Sequence, residues 1–176
     1  MRETIPLRER PVDIALLAFF AFNLLFVSYV ISLEQIVIDD PSHFAYPIWP
    51  PRFMVDLIHS YGRRFDPVLM ARPTWYRVTV WWDALFFGPF YAVAIFAYLK
   101  GKEWIRVPSI VYASVMIALV SVIIAEEIAG THAAPNPAFV VALNAPWIVV
   151  PLVILVRMAA SPHPFTRRFG FPTRGA

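Results

Sequence analysis

The chain has 176 residues, 59% hydrophobic, 16% aromatic and only 15% charged, with a net charge of +3 and a mean hydropathy of +0.62. A soluble domain carries roughly 25% charged residues, so this composition excludes an ordinary cytosolic globule. It also excludes a disordered chain, which needs low hydrophobicity and high net charge. The charge is too small for a nucleic-acid footprint, and the absence of cysteine removes disulfides, thiolate metal sites and cysteine nucleophiles together.

What remains is a polytopic membrane protein of one domain. Four apolar runs appear in chain order. The first is Ile14–Ile31, interrupted by Asn23 and Ser28 and reaching through Glu34 toward Ile38. It is long for a signal peptide, and no small-residue cleavage site precedes Asp39-Asp40, so it reads as retained. Ser42–Arg52 is rich in Pro and aromatic residues and predicts a rigid turn against the membrane. Phe53, Met54, Leu57, Ile58 and Tyr61 then recur at helical spacing, which predicts a short amphipathic lid helix. A solvated loop is the alternative. Asp66-Pro67 marks a turn. The second run, Val78–Leu99, carries one charge, Asp83. The third, Ile110–Ala125, is the shortest and reaches back toward Ile105; its alternative is a buried core helix. The fourth, Phe139–Val156, contains Asn144. A bilayer core of about 30 Å needs roughly 20 helical residues, so the fold class is all-α, a four-transmembrane-helix bundle.

Charge orients the bundle. Arg2, Arg8, Arg10, Lys100, Lys102, Arg106, Arg157, Arg167, Arg168 and Arg174 fall on one side of such a bundle. The other five Lys and Arg all lie between the first two runs. The positive-inside rule therefore places both termini in the cytoplasm. Residues 10–164 read as the membrane domain, 1–9 as a cytoplasmic N-terminal segment and 165–176 as a basic cytoplasmic tail suited to anionic lipid.

In this orientation several polar groups reach the outer half of the membrane. Asp83 and Asn144 each lie about 8 Å inward from the start of their runs. Glu34 ends the first run and Glu126-Glu127 the third. A carboxylate near the bilayer centre costs about 2.5–3.5 kcal/mol, so these groups are expected to face one another or a cavity. Each has a plainer alternative. Asp83 could sit among headgroups beside Trp75, Trp81 and Trp82. Glu126 and Glu127 could form a solvated helix end. Asn23 and Asn144 could be interhelical hydrogen-bond glue. The four histidines show no metal-ligand spacing, so no metal or other cofactor is expected. Pro89 and Pro151 lie inside runs and should kink them, with Pro146 adding a break beside Asn144. A cavity between kinked helices, walled by Phe86, Phe87, Phe90, Tyr91 and Trp147, would suit a small molecule.

Specific motifs carry a resemblance. They are Asp66-Pro67 before the second run, Trp75-Tyr76, the acid six residues ahead of a helix proline (Asp83, Pro89), the Tyr98-Leu99-Lys100-Gly101 exit, Trp104–Pro108, and Asn144-Ala145-Pro146-Trp147 followed by Pro151. With these the chain resembles the sigma-2 receptor-like members of the EXPERA superfamily, which also contains the emopamil-binding sterol isomerases. The resemblance implies a four-helix membrane fold with cytosolic termini, often a homodimer, with a pocket open to the bilayer for sterols and cationic amphiphiles. It implies pocket positions at Asp66, Leu69, Tyr76, Asp83, Tyr112, Leu143 and Trp147. The family's acid in the first span falls at Ser32 or shifts to Glu34, its upstream histidine falls at Asn23, and a family glutamine falls at Phe87.

The expected function is therefore intramembrane binding of a sterol-like or polycyclic lipid and of amphiphilic amines. Asp83 would be the anchor, with Glu34, Asp66 and Asn144 as neighbours and Tyr76, Tyr112 and Trp147 as walls. The first alternative is a membrane isomerase or cyclase using Asp83 and Glu34 as proton donor and acceptor. The second is a purely structural or trafficking partner. The membrane would be the endoplasmic reticulum in a eukaryote and the cytoplasmic membrane in a bacterium.

Overall fold

The structure, a computed structural model, describes residues 2–168. Residues 169–176, with Arg174 and most of the basic tail, lie outside the described residues. Four helices are long and apolar enough to cross a membrane. They are α1 (Pro11–Val37, 27 residues), α4 (Thr74–Leu99, 26 residues), α5 (Glu103–Ala129, 27 residues) and α6 (Pro137–Ala160, 24 residues). Between the first two lie α2 (Arg52–Phe65) and α3 (Pro67–Ala71). At 1.5 Å per residue each spanning helix is roughly 36–40 Å long. Each outruns its apolar stretch, the third most clearly: α5 extends Ile110–Ala125 at both ends and qualifies as a span.

Local chemistry fixes the starts. Pro11, Pro67 and Pro137 each occupy a first helical turn, where a missing N–H costs nothing. Asp66 and Asn136 cap α3 and α6 by accepting from the N–H groups of Leu69 and Phe139. Two segments are π-helical, Asn23–Ser32 in α1 and Asp83–Phe87 in α4. The second answers Pro89, which cannot donate to the turn before it. The widened turn sends the Gly88 N–H back five residues to the Asp83 carbonyl, and the helix continues. α6 is interrupted at Ala145, between Asn144 and Pro146, while Pro151 sits inside its second half.

α1 packs on α4 and α5 on α6, giving two hairpins. Buried aromatic side chains join them. The Phe20 ring lies 5.3 Å from Tyr98, 6.0 Å from Tyr91 and 6.3 Å from Tyr112. Inside a bilayer such close packing and interhelical hydrogen bonding carry the association, because lipid is as apolar as leucine.

The chain ends meet on one side. β1 (Arg2–Thr4) and β2 (Thr166–Arg168) form an antiparallel ribbon. Just inside it, the fully buried Asp13 takes Arg10 Nη1 at 2.7 Å and Arg157 Nη2 at 2.7 Å, tying α1 to α6.

At the opposite end α2 forms the lid. Val55, Ile58, His59 and Gly62 are buried, Met54 and Tyr61 pack with Ile58, and Phe53 is left 65% exposed. His59 meets a buried acid, Glu34, below the lid, and Phe53 stands where an interfacial helix meets lipid.

Candidate functional site

Beneath the lid, between the two hairpins, lies a cavity of about 510 Å³, within the range of small-molecule sites. All four spanning helices and the lid contribute. Its walls are mainly apolar, with Phe22, Phe26, Ile31, Phe87, Leu119 and Ile123 among them. Of the residues singled out in the sequence, Asp66, Leu69, Tyr76, Asp83, Leu143, Asn144 and Trp147 line it. Glu34 and Tyr112 do not.

Asp83 stands on the π turn of α4 and faces α1 rather than headgroups. It is 9% exposed, and its Oδ2 accepts from Ser32 Oγ at 2.7 Å. Trp81 and Trp82 point away and are exposed, so the interfacial belt and the acid occupy different faces of one helix. Ser28, one turn from Ser32, is buried with an unpaired hydroxyl. On the far wall the Trp147 indole N–H donates to Asn23 Oδ1 at 2.7 Å, and Asn23 in turn donates to the Phe19 carbonyl. Asn23 is therefore interhelical glue that orients a wall residue.

Glu34 corrects the expectation. It is fully buried, but Arg72 Nη2 lies 2.9 and 3.0 Å from its two oxygens and His59 Nε2 lies 2.7 Å from Oε1. The acid is spent in fastening α1 to the lid segment. Arg72 also donates to the carbonyls of Leu69 and Ile38. It adopts a left-handed conformation, φ 46°, which turns the chain from α3 toward α4. Tyr112 is likewise drawn away, its hydroxyl 3.2 Å from that of Tyr91 within the aromatic core.

The sequence reading did not find Arg72 or His59. The available signal was the cost of burying Glu34 without a cation, which called for a basic partner in the long first connection. The pair at the end of α5 also divides. Glu126 stays partly exposed and accepts from the His132 N–H at 2.8 Å. Glu127 is fully buried, with Asn144 Nδ2 3.4 Å from its Oε2 and no partner for its Oε1.

Electrostatics set the cavity apart. Asp13 and Glu34, buried elsewhere, are matched by arginines. Among the described residues the cavity lining holds two carboxylates, Asp66 and Asp83, and no Lys, Arg or His. Burial pushes the Asp66 carboxyl above its ordinary value, against a smaller downward pull from the Leu69 N–H. Burial, with the nearby negative charge of Asp66 and Glu127, pushes the Tyr61 phenol up.

Residues 53–158 match the family profile of EBP: EXPERA (EXPanded EBP superfamily). The chain belongs to the EXPERA superfamily. The match runs from the lid to the last span, so it takes in every cavity residue outside α1. This EXPERA chain is 30% identical over 156 residues to Sigma intracellular receptor 2 of Xenopus tropicalis, covering 82% of this chain and 86% of that receptor. It is 28% identical over 130 residues to Sigma intracellular receptor 2 of Homo sapiens, covering 66% and 73%. With four apolar helices and these relatives, the EXPERA chain is an integral multi-pass membrane protein.

Proposed function

We propose that this protein binds sterol-like or other polycyclic lipids and cationic amphiphiles within the bilayer. Asp83 is the buried polar anchor, Leu69, Tyr76, Leu143 and Trp147 are walls, and Asp66 and Asn144 lie at the lid end. One observation carries the reading: a largely apolar cavity whose only charged lining groups, among the described residues, are two acids without a cation. A carboxylate held out of water gains most from a partner that brings positive charge or a hydrogen-bond donor. An amphiphilic amine supplies both and has an apolar body to fill the remaining volume. A sterol-like lipid supplies a hydroxyl donor and a rigid apolar frame.

The isomerase or cyclase alternative has less support, because Glu34, its second proton-transfer group, is held by Arg72 and His59 outside the lining. The test is the affinity of purified protein for N-benzylnonylamine, with thermal unfolding as a check on folding. Asp83→Asn should weaken binding at least about tenfold. Unchanged affinity in a folded variant overturns the anchor. Incubation with sterols in deuterated water addresses catalysis, and deuterium entering a recovered lipid would favour the enzyme.

A further inference from the structure

Glu127 is a buried acid beside the cavity that the reading above does not use. It is fully buried two residues from the lid end of α5, and its Oε1 meets no hydrogen-bond partner. Glu127 stands directly behind the cavity wall rather than in it: its Oε2 lies 3.4 Å from the amide nitrogen of Asn144, which lines the cavity. Asp66 and Tyr61 both line the cavity at this end, and α3, which Asp66 caps, packs against α5. Of the basic groups of this end, Arg72 and His59 are engaged with Glu34, Arg77 with Asp39 and His132 with Glu126, while Arg63 and Arg64 are exposed on the lid and outside the cavity lining. An acid buried with an unpaired oxygen is costly as it stands, and its complement is a donor that also carries charge.

The levels of the two acidic positions differ. Asp83 is nine residues below the start of α4, and Glu127 is two residues from the end of α5. Both helix ends face the lid, so the groups stand about 10 Å apart along the bundle axis at 1.5 Å per residue. Tyr76 and Leu143 line the space beside them.

We infer that Glu127, with Asn144 and Asp66, forms a second cation subsite at the lid end, so that the cavity favours dicationic amphiphiles whose two ammonium groups are separated by an apolar spacer of about 10 Å. This rests on the reading of Asp83 as the anchor for the first ammonium. The second ammonium would donate to the Asp66 carboxylate and, with the Asn144 amide shifted aside, to Glu127 behind it.

The test compares N-benzyl-diaminooctane with N-benzylnonylamine, which replaces the terminal ammonium by a methyl group, and with the analogue ending in a hydroxyl. The parent protein should bind the diamine at least about tenfold more tightly than the monoamine. Glu127→Gln should bring that ratio close to one, and Asp66→Asn, which keeps the helix cap, should reduce it. If Glu127→Gln does not fold, the ratio in the parent protein and in Asp66→Asn decides. A ratio near one in the parent protein, a ratio that survives both substitutions, or an equal gain from the hydroxyl analogue overturns the subsite. Monoamine binding that depends on Asp83 while the diamine gains nothing removes the subsite alone. Monoamine binding indifferent to Asp83→Asn removes the anchor and the subsite with it.

Discussion

Arg72 Nη2 sits 2.9 Å from one carboxylate oxygen of Glu34 and 3.0 Å from the other, with both side chains almost wholly out of solvent. Thirty-eight residues separate the two in sequence, and the bond joins the lid segment to the first spanning helix. Removing one member of a buried ion pair strands the other, at a cost of about 3–5 kcal/mol. Arg72→Met should lower the thermal unfolding midpoint in detergent accordingly. Arg72→Met with Glu34→Gln should recover much of the loss, since no lone charge is left. An unchanged midpoint in the single variant would show that the pair does not fasten the lid.

Asp66 gives a pH dependence with a definite sign. Its carboxyl is held above the ordinary 3.8 by burial. A raised folded-state pKa contributes stability that is full below the unfolded value and is lost as pH climbs through the folded one. Stability should therefore decline as pH rises from about 4 through the raised value. Asp66→Asn should flatten that decline while keeping the cap on Leu69. Unfolding midpoints across that range check it, and parallel curves for the two proteins would contradict it.

Gly101 turns the chain from α4 into α5 with φ +59°, and an added Cβ would clash with Thr4 Cγ2 in the ribbon. Gly101→Ala meets both a left-handed backbone and a clash, and should cost about 1–3 kcal/mol. Adding Thr4→Ser removes the clashing methyl but not the backbone penalty, so it should restore only part. Full restoration would mean that the contact alone matters.

The bond from Trp147 Nε1 to Asn23 Oδ1 spans 124 positions of sequence. A double-mutant cycle with Trp147→Phe and Asn23→Leu should show a coupling of about 1 kcal/mol in unfolding. Strictly additive effects would place the two residues in separate roles.

The spans and the lid were legible because bilayer thickness and helical periodicity both act on single residues in sequence. α5 outgrew its apolar stretch because Arg106 and Glu127 belong to the helix without being apolar. Arg106 donates to carbonyls at the end of α6, while Glu127 is buried beside Asn144. The π turns were not legible, since a five-residue hydrogen bond leaves no distinct hydrophobic pattern. Pro89 was visible only as an expected kink. Asp83 and Asn144 could be brought to the cavity from their depth alone. Glu34 could not be kept out of it, because its fate depended on Arg72 and His59, which reach it only through the tertiary path of the lid. The lid's apolar face was legible in Met54, Ile58 and Tyr61, while the burial of His59 beside them was not, since it depends on Glu34 below.

The short ribbon of Arg2–Thr4 with Thr166–Arg168 has a mechanical consequence. Together with the Asp13 cluster it clasps the first and last helices at one extremity, while at the opposite extremity Glu34, Arg72 and His59 join the lid to the first helix and the rings of Phe65 and Phe139, 4.9 Å apart, join it to the last. The two hairpins are thus jointed like a pair of tongs, with the fulcrum at the ribbon. Whatever parts them does so chiefly at the jaws, where the unmatched acids wait.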